Sequence, residues 1–196
     1  MPDGADHAGL IGPNALTQLL PLLERAGGAR LRDRLLAEAG IFVLPDMTGL
    51  VDEAPVARLH QAMRAQIPDL APALAWEAGV RTADYIIANR IPGPVVVLLR
   101  GLPVPLAAPL LVRAIAQHAW TFAGSGRFEV LSRRPLRVAI HDNPVVRGEI
   151  ASHRLCHWHA AVFERLFTSL VHGGWRAREV ECCAMGHPAC VFEIGP

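Results

Sequence analysis

The chain has 196 residues, which is enough for one domain of ordinary size and short for two. It is 52% hydrophobic and 19% charged, which excludes an intrinsically disordered chain. Nineteen arginines and no lysine oppose 18 acidic residues, and the resulting formal charge of +1 argues against a nucleic-acid partner.

No targeting or membrane-spanning segment is predicted. Residues 1–9 are polar and lack the basic start and apolar run of a signal peptide. The most apolar stretch, residues 95–122, is broken by three prolines and two arginines, whereas a membrane-spanning helix needs about 20 nearly uninterrupted apolar residues. The sequence therefore predicts a soluble, cytoplasmic protein.

Helices are predicted through the first half of the chain. Asn14 caps an apolar helix that ends at Gly27 and Gly28, and helices follow at 29–39, 54–66 and 70–89. On the 70–89 helix, Trp76, Val80 and Ile87 are expected to share one face. Prolines 92 and 94 are interpreted as the exit from that helix, and the next helix is predicted at 105–122.

Strands are predicted after Gly126. Residues 127–131 and 136–141 have the pattern of an antiparallel hairpin, 156–171 is helical, and 175–183 and 190–194 are the last two strands. The sequence thus predicts one α+β domain over residues 1–196, with a helical part at about 10–123 packed on an antiparallel sheet in a strand-containing part at about 127–196.

All four cysteines, at positions 156, 182, 183 and 190, lie in the last quarter of the chain. Without an export signal, two disulfides are disfavoured. Cys156 is expected to point toward the core, so the thiols of Cys156, Cys182 and Cys190 are expected to converge as zinc ligands. The alternative is that these are buried free thiols acting as small hydrophobic groups.

A structural zinc site normally has four ligands, and spacing alone leaves the fourth open. Glu179 would need a β-bulge or a twisted strand end to share a face with Cys182, and Cys183 should face the other way. The candidates for the fourth ligand are Glu179, Glu181, His157, His159, His172, His187 and Cys183.

The run EVECCAMGHPACVFE at 179–193 resembles the pattern E-x-x-C-x-A-x-G-x-x-x-C-x-F of the 4-vinyl-reductase domain family. Zinc-containing members of that family, the phenol-sensing transcription regulators, use a Cys, Glu, Cys, Cys set. The resemblance implies zinc ligands at Cys156, Glu179, Cys182 and Cys190. It also implies the α+β architecture of haem-nitric-oxide-binding domains and of a vesicle-tethering subunit.

Four further segments resemble the bacteriochlorophyll-biosynthesis branch of this family, so the resemblance covers nearly the whole chain. They are IGPNAL at 11–16, ADYIIANRIP at 83–92, HAWTFAGSG at 118–126 and HDNPVVRG at 141–148. The historical name of that branch implies reduction of a vinyl group on divinyl (proto)chlorophyllide.

Reduction by this chain alone has little support from its residues. Gly124-Ser-Gly126 follows a predicted helix instead of a strand, so no NAD(P) or flavin site is evident, and zinc is redox-inert. We therefore expect no catalytic residues and a tetrapyrrole-binding accessory or substrate-carrier protein of bacteriochlorophyll biosynthesis, with a Mg-porphyrin or (proto)chlorophyllide-type ligand. The alternative is a vinyl reductase that uses an external electron donor.

The ligand site is predicted on two helices. On the 105–122 helix, His118 is expected on the same face as apolar residues and could bind magnesium axially, while Tyr85, Asn89 and Arg90 share a face of the preceding helix. The predicted ligand-binding residues are His118, Phe122, Leu111, Ile115, Tyr85, Asn89 and Arg90. The expected partners are the tetrapyrrole and pathway enzymes such as Mg-chelatase or the following methyltransferase, and the related sensors suggest a homodimer.

Overall fold

The computed structural model describes residues 9–196. The polar amino-terminal segment, in which the sequence predicts no export signal, lies outside these residues except for Gly9. The helices are α1 (Asn14–Thr17), α2 (Leu20–Ala39), α3 (Glu53–Gln66), α4 (Ala71–Asn89), α5 (Gly93–Gly101), α6 (Val104–Gln117), α7 (Trp120–Ala123) and α8 (His157–Leu170).

The strands form two antiparallel ladders within the described residues. A short ladder in the helical half pairs β1 (Leu10–Ile11) with β2 (Val51–Asp52). The main sheet contains β3 (Arg127–Arg133), β4 (Leu136–His141), β5 (Arg176–Glu181) and β6 (Ala189–Gly195) in the order β3-β4-β6-β5. The predicted α+β class with a carboxyl-terminal antiparallel sheet is confirmed.

Helix α8 forms the centre of the fold because it packs on α4 on one side and on the sheet on the other. Its aromatic residue Phe163 contacts Phe192 of β6, with ring centroids 5.2 Å apart. On α4 the buried face is made of small residues, and the main chain of α8 approaches closely at Gly79. The predicted apolar face of α4 is wrong, since Trp76, Val80 and Ile87 are only partly buried.

Helix boundaries differ from the sequence prediction in two places. The chain forms α5 where an exit was expected, because prolines 92 and 94 stand at its N-cap and second position, where their missing N–H groups cost no helical hydrogen bond. The predicted helix at 105–122 ends at Gln117, and α7 follows as a separate turn. The backbone carbonyl of Thr121 there accepts a hydrogen bond of 2.8 Å from Gly12 N–H.

The predicted end of a helix at Gly27 and Gly28 corresponds to a kink. Both glycines have non-helical dihedral angles inside α2, and φ is +71° at Gly28, a conformation that glycine adopts without strain.

Gly124-Ser-Gly126 binds a carboxylate of its own chain. Glu53, buried at the start of α3, accepts hydrogen bonds from Ser125 N–H at 2.7 Å and from Ser125 Oγ at 2.5 Å. Arg147 Nη1 lies 3.0 Å from the same carboxylate. Gly124 is required here because a Cβ would lie 2.1 Å from Glu53 Oε2. The loop therefore joins the helical half to the sheet half.

Candidate metal centre

Four potential metal ligands converge between the start of α8 and the β5–β6 connection. The Sγ atoms of Cys156, Cys182 and Cys190 and a carboxylate oxygen of Glu179 all lie within 4.8 Å of one another, and all four residues are buried. The sulfurs of Cys156 and Cys190 are 3.2 Å apart, which is longer than a disulfide bond, and all four cysteines are free.

Each ligand is positioned by a different local device. Cys156 is the N-cap of α8, and Cys190 is on β6, opposite Ile140 of β4. Cys182 follows the last residue of β5, and the chain then turns through a short 3₁₀ segment, Cys183–Met185. The turn ends at Gly186, where φ is +86°.

A β-bulge brings Glu179 to the same side as Cys182. The pairing of β5 with β6 shifts between Glu179 and Glu181, so Val180 is the extra residue. Without that bulge, residues 179 and 182 would face opposite sides of a strand. The spacing requirement stated from the sequence is thus met by the structure.

Polar neighbours surround the cluster. Asn143 is fully buried and donates from Nδ2 to Cys156 Sγ at 3.3 Å, and its Oδ1 accepts from Val145 N–H. The N–H of Cys183 points to Cys190 Sγ at 3.4 Å. Such donors support metal-bound thiolates and orient them. The role of Asn143 was missed, since Asp142-Asn143-Pro144 also has the pattern of an ordinary turn; its occurrence in the HDNPVVRG segment was the available signal.

The electrostatics of the cluster favour a cation. Burial raises the pKa of Cys156 above that of an ordinary thiol and raises the pKa of Glu179 to about 8. Hydrogen bonds from Cys156 and Cys190 lower the pKa of Cys182, so one thiolate is stabilised by its neighbours. Within residues 9–196, Glu179 Oε2 accepts from Cys156 N–H at 2.9 Å, while its buried Oε1 has no hydrogen-bond partner.

This donor set fits a zinc ion. Three soft sulfurs and one carboxylate oxygen match the ligands of four-coordinate structural zinc sites. The unpartnered Glu179 Oε1 is the kind of atom that coordination would satisfy. The other candidates for the fourth ligand are outside the cluster: His159 Nε2 pairs with the carbonyl of Phe122 at 3.1 Å, and Cys183 lies apart from the ligand set.

The predicted tetrapyrrole pocket does not form as expected. Leu111, Ile115 and Phe122 are buried in the core, and Phe122 packs edge-on against Phe163. His118 is exposed at the C-cap of α6, so it does not share their face, because the helix ends one residue before it. The lining of the two cavities described, of about 250 and 380 Å³, contains none of the seven predicted residues.

The second predicted group lies at the surface end of α4. Asn89 and Arg90 are exposed and Tyr85 is partly buried. The guanidinium of Arg90 lies 5.9 Å from the centre of the Tyr85 ring and donates to the carbonyl of Met47 at 2.7 Å. These three residues therefore form a local cluster, separate from the buried Leu111, Ile115 and Phe122.

The fold and the cysteine cluster define a class of protein. The 4-vinyl-reductase domain family matches residues 136–196, which include all four candidate ligands. The fold is similar to an H-NOX protein from K. algicida, with a TM-score of 0.56 and 16% identity over 94% of this chain and 96% of that one. It is also similar to the phenol-responsive sensory domain of the transcription activator PoxR, with a TM-score of 0.53 and 19% identity over 86% and 90%.

Two relatives are similar over nearly their whole length. The chain is 53% identical to the bacteriochlorophyll synthase 23 kDa chain of Cereibacter sphaeroides over 95% of its own length and 90% of the relative's. It is 44% identical to the chain of the same name from Rhodobacter capsulatus, over 100% and 91%. The protein belongs to the family of bacteriochlorophyll synthase 23 kDa chains.

Across residues 9–196, no helix combines the length and the apolar character needed to cross a membrane.

Proposed function

We propose that this chain is a tetrapyrrole-binding accessory protein of bacteriochlorophyll biosynthesis, which carries a Mg-porphyrin or (proto)chlorophyllide-type intermediate. We further propose that Cys156, Glu179, Cys182 and Cys190 hold a structural zinc ion. Membership of the 23 kDa chain family supports the role in bacteriochlorophyll biosynthesis.

The observation that carries ligand binding is the state of His118. Its Nδ1 atom lies 2.9 Å from the carbonyl of Ala114, so Nδ1 carries the proton and Nε2 has the free lone pair. The residue is exposed, and no residue in 9–196 is hydrogen-bonded to Nε2. A neutral imidazole with its second nitrogen fixed by a carbonyl is a suitable axial ligand for a magnesium ion.

The proposed zinc site is structural because it is closed. All four ligands come from the protein, and Cys156, Cys182 and Cys190 are at most 1% exposed. A catalytic zinc ion keeps one position open for water or substrate. The ion would hold the start of α8 against the β5–β6 connection and would not take part in a reaction.

Titration of the full chain with magnesium protoporphyrin and with divinyl protochlorophyllide tests the carrier function. We expect saturable binding with a shift of the Soret band. His118→Ala should raise Kd at least about tenfold, because a lost ligand bond of roughly 1.4 kcal/mol has that effect. His172→Ala, at another exposed histidine, is the matched control and should bind like the wild type.

Equal Kd values for His118→Ala and the wild type would exclude His118 as the ligand, and absence of saturable binding would exclude the carrier function. The same mixtures are then incubated with NADPH or with reduced ferredoxin. Stoichiometric turnover to a monovinyl product would replace the carrier with the alternative, a vinyl reductase with an external donor.

A further inference from the structure

Helices α5 and α6 form a hairpin that is apolar on both of its sides. Its inner side contributes Leu99, Leu111 and Ile115 to the core. On its outer side, Val97 is 73% exposed, Leu98 54%, Leu106 56% and Leu110 46%. A surface helix of a soluble domain normally has a polar outer face, and a helix that is apolar all round is typical of an apolar environment on both sides.

The exposed apolar residues follow the helical repeat and therefore form continuous stripes. On α5 the exposed positions 94, 97, 98 and 101 are Pro, Val, Leu and Gly, and on α6 the exposed positions 106, 109, 110 and 113 are Leu, Pro, Leu and Arg. The two helices are joined by only Leu102 and Pro103.

The charge of this region has one sign. Between Asp84 and Glu129 the chain has no acidic residue, and its charged residues are Arg90, Arg100, Arg113 and Arg127. The two flanking acids are already paired, Asp84 with Arg165 and Glu129 with Arg127. Arg100 and Arg113 are exposed on the hairpin itself.

The backbone of the hairpin is also suited to an apolar medium. Helix N-termini normally leave several N–H groups unbonded, which is costly away from water. In α5 the N-cap and second positions are prolines 92 and 94, and in α6 they are prolines 103 and 105, none of which has an N–H group. The third positions, Val95 and Leu106, donate to the N-cap carbonyls at 2.9 Å. One unbonded N–H therefore remains at the start of each helix, on Gly93 and Val104.

We propose that the α5–α6 hairpin is a docking surface for an anionic lipid bilayer. The aliphatic stripes enter the boundary between headgroups and acyl chains, and Arg100 and Arg113 pair with lipid phosphates. Helix α5 has 9 residues and α6 has 14, so each is shorter than a membrane span and the hairpin lies in the plane of the interface.

A lipid surface fits this face better than a protein does. Interfaces between proteins are enriched in aromatic residues and contain regular hydrogen bonds, whereas residues 86–119 contain no Phe, Tyr, Trp, Ser or Thr. A symmetric contact between two copies would bring the arginines of both together with no acid to pair with them. Bilayer docking does not depend on the proposed tetrapyrrole function.

Co-sedimentation of the full chain with sucrose-loaded vesicles, without any tetrapyrrole, tests the proposal. We expect binding to phosphatidylcholine vesicles containing phosphatidylglycerol, weakened by added salt, and much less binding to phosphatidylcholine alone. Leu98→Asp with Leu106→Asp should lower the partition coefficient at least about tenfold, because two apolar groups no longer enter the lipid. Arg113→Gln should reduce the preference for the anionic vesicles.

Ile150→Asp is the matched control, because Ile150 is 98% exposed and lies before α8, outside the hairpin. It should bind like the wild type, and circular dichroism checks that every variant is folded. Three outcomes would overturn the proposal: no sedimentation with either vesicle, equal loss in the Ile150 variant, or a hairpin variant that changes the oligomeric state of a protein that does not bind lipid. None of these outcomes bears on the tetrapyrrole titration.

Discussion

Cys182 and Cys183 are adjacent in the chain but occupy different environments. Cys182 is fully buried within the four-residue cluster, while Cys183 is only partly buried and begins the 3₁₀ turn. The side chains separate because the chain leaves the strand after Glu181. Cys183 still contributes its N–H to Cys190 Sγ, so the role of Cys183 in the cluster is through its backbone.

This difference gives a matched pair of variants. Cys190→Ser should lose the metal, with an affinity for zinc more than about 100-fold lower, since even the loss of a supporting residue costs about 10–100-fold. It should also unfold at a lower temperature, because metal binding contributes directly to folding. Cys183→Ser should retain about one zinc per chain. Metal analysis after gel filtration and thermal unfolding measure both effects.

Retention of zinc by Cys190→Ser would contradict the assigned ligand set, as would its loss from Cys183→Ser alone. Freshly purified wild-type protein without metal would remove the zinc proposal and leave a cluster of buried thiols.

The cysteine ligands could be predicted from the sequence, and Glu179 only from a family pattern. Cys156 and Cys190 are on elements whose apolar periodicity is clear, so their direction toward the core follows from local rules. Glu179 joins them through a bulge, and a bulge depends on how β5 pairs with β6 across the sheet. The position of His118 depends on one residue of helix length, which the sequence does not specify.

At the scale of elements, helix ends set by tertiary contacts are the main source of error. Residues 117–120 contain neither glycine nor proline, so the pattern predicts one helix through them. The break coincides with the contact of α7 with the amino-terminal strand, where Thr121 O accepts from Gly12 N–H. Helix α5 escapes prediction for a different reason: prolines 92 and 94 start this helix, although the same pair also favours an exit from the helix before it.

The contact between α4 and α8 depends on a glycine. A Cβ at Gly79 would lie 2.4 Å from the carbonyl oxygen of Trp158 and 2.7 Å from Ala161 Cβ, and both are parts of α8 that cannot rotate away. Gly79→Ala should lower the free energy of unfolding by about 1–3 kcal/mol, because overpacking outweighs the helix propensity that alanine gains. Urea unfolding followed by circular dichroism measures the change.

Gly101→Ala is the control for helix propensity, since nothing lies within 4 Å of a Cβ at that position. It should be neutral or slightly stabilising. A Gly79→Ala variant as stable as the wild type would show that α4 and α8 can separate without cost, in conflict with their close packing.

For the whole molecule, the polar groups at the centre of the fold are as informative as its apolar core. His60 of α3 is fully buried, contacts the carbonyl of Ala15 through Nε2 at 2.9 Å, and lies edge-on to Trp158 of α8. Trp158 in turn donates to Thr82 of α4 at 3.2 Å. One histidine and one tryptophan thus connect α1, α3, α4 and α8, in a core that the family pattern does not reveal.

The buried histidines predict how the whole fold responds to acid. Burial lowers the pKa of His60 to about 3 and that of His159 to about 4, whereas each is near 6.5 when unfolded. Below pH 6.5 the unfolded chain therefore binds protons that the folded chain does not, so the free energy of unfolding falls as pH decreases toward 4. Each histidine contributes a slope of about 1.4 kcal/mol per pH unit in the lower part of that window. His60→Gln keeps an N–H donor for Ala15 O and removes one titrating group, so its slope should be smaller by about that amount. Urea unfolding between pH 7 and pH 4 measures the slopes, with His172→Gln, at an exposed position, as the control. Acid release of zinc affects all three proteins alike, because neither His60 nor His172 belongs to the cysteine cluster. Equal slopes for His60→Gln and the wild type would mean that His60 is protonated in the folded state, in conflict with its enclosure between α1, α3 and α8.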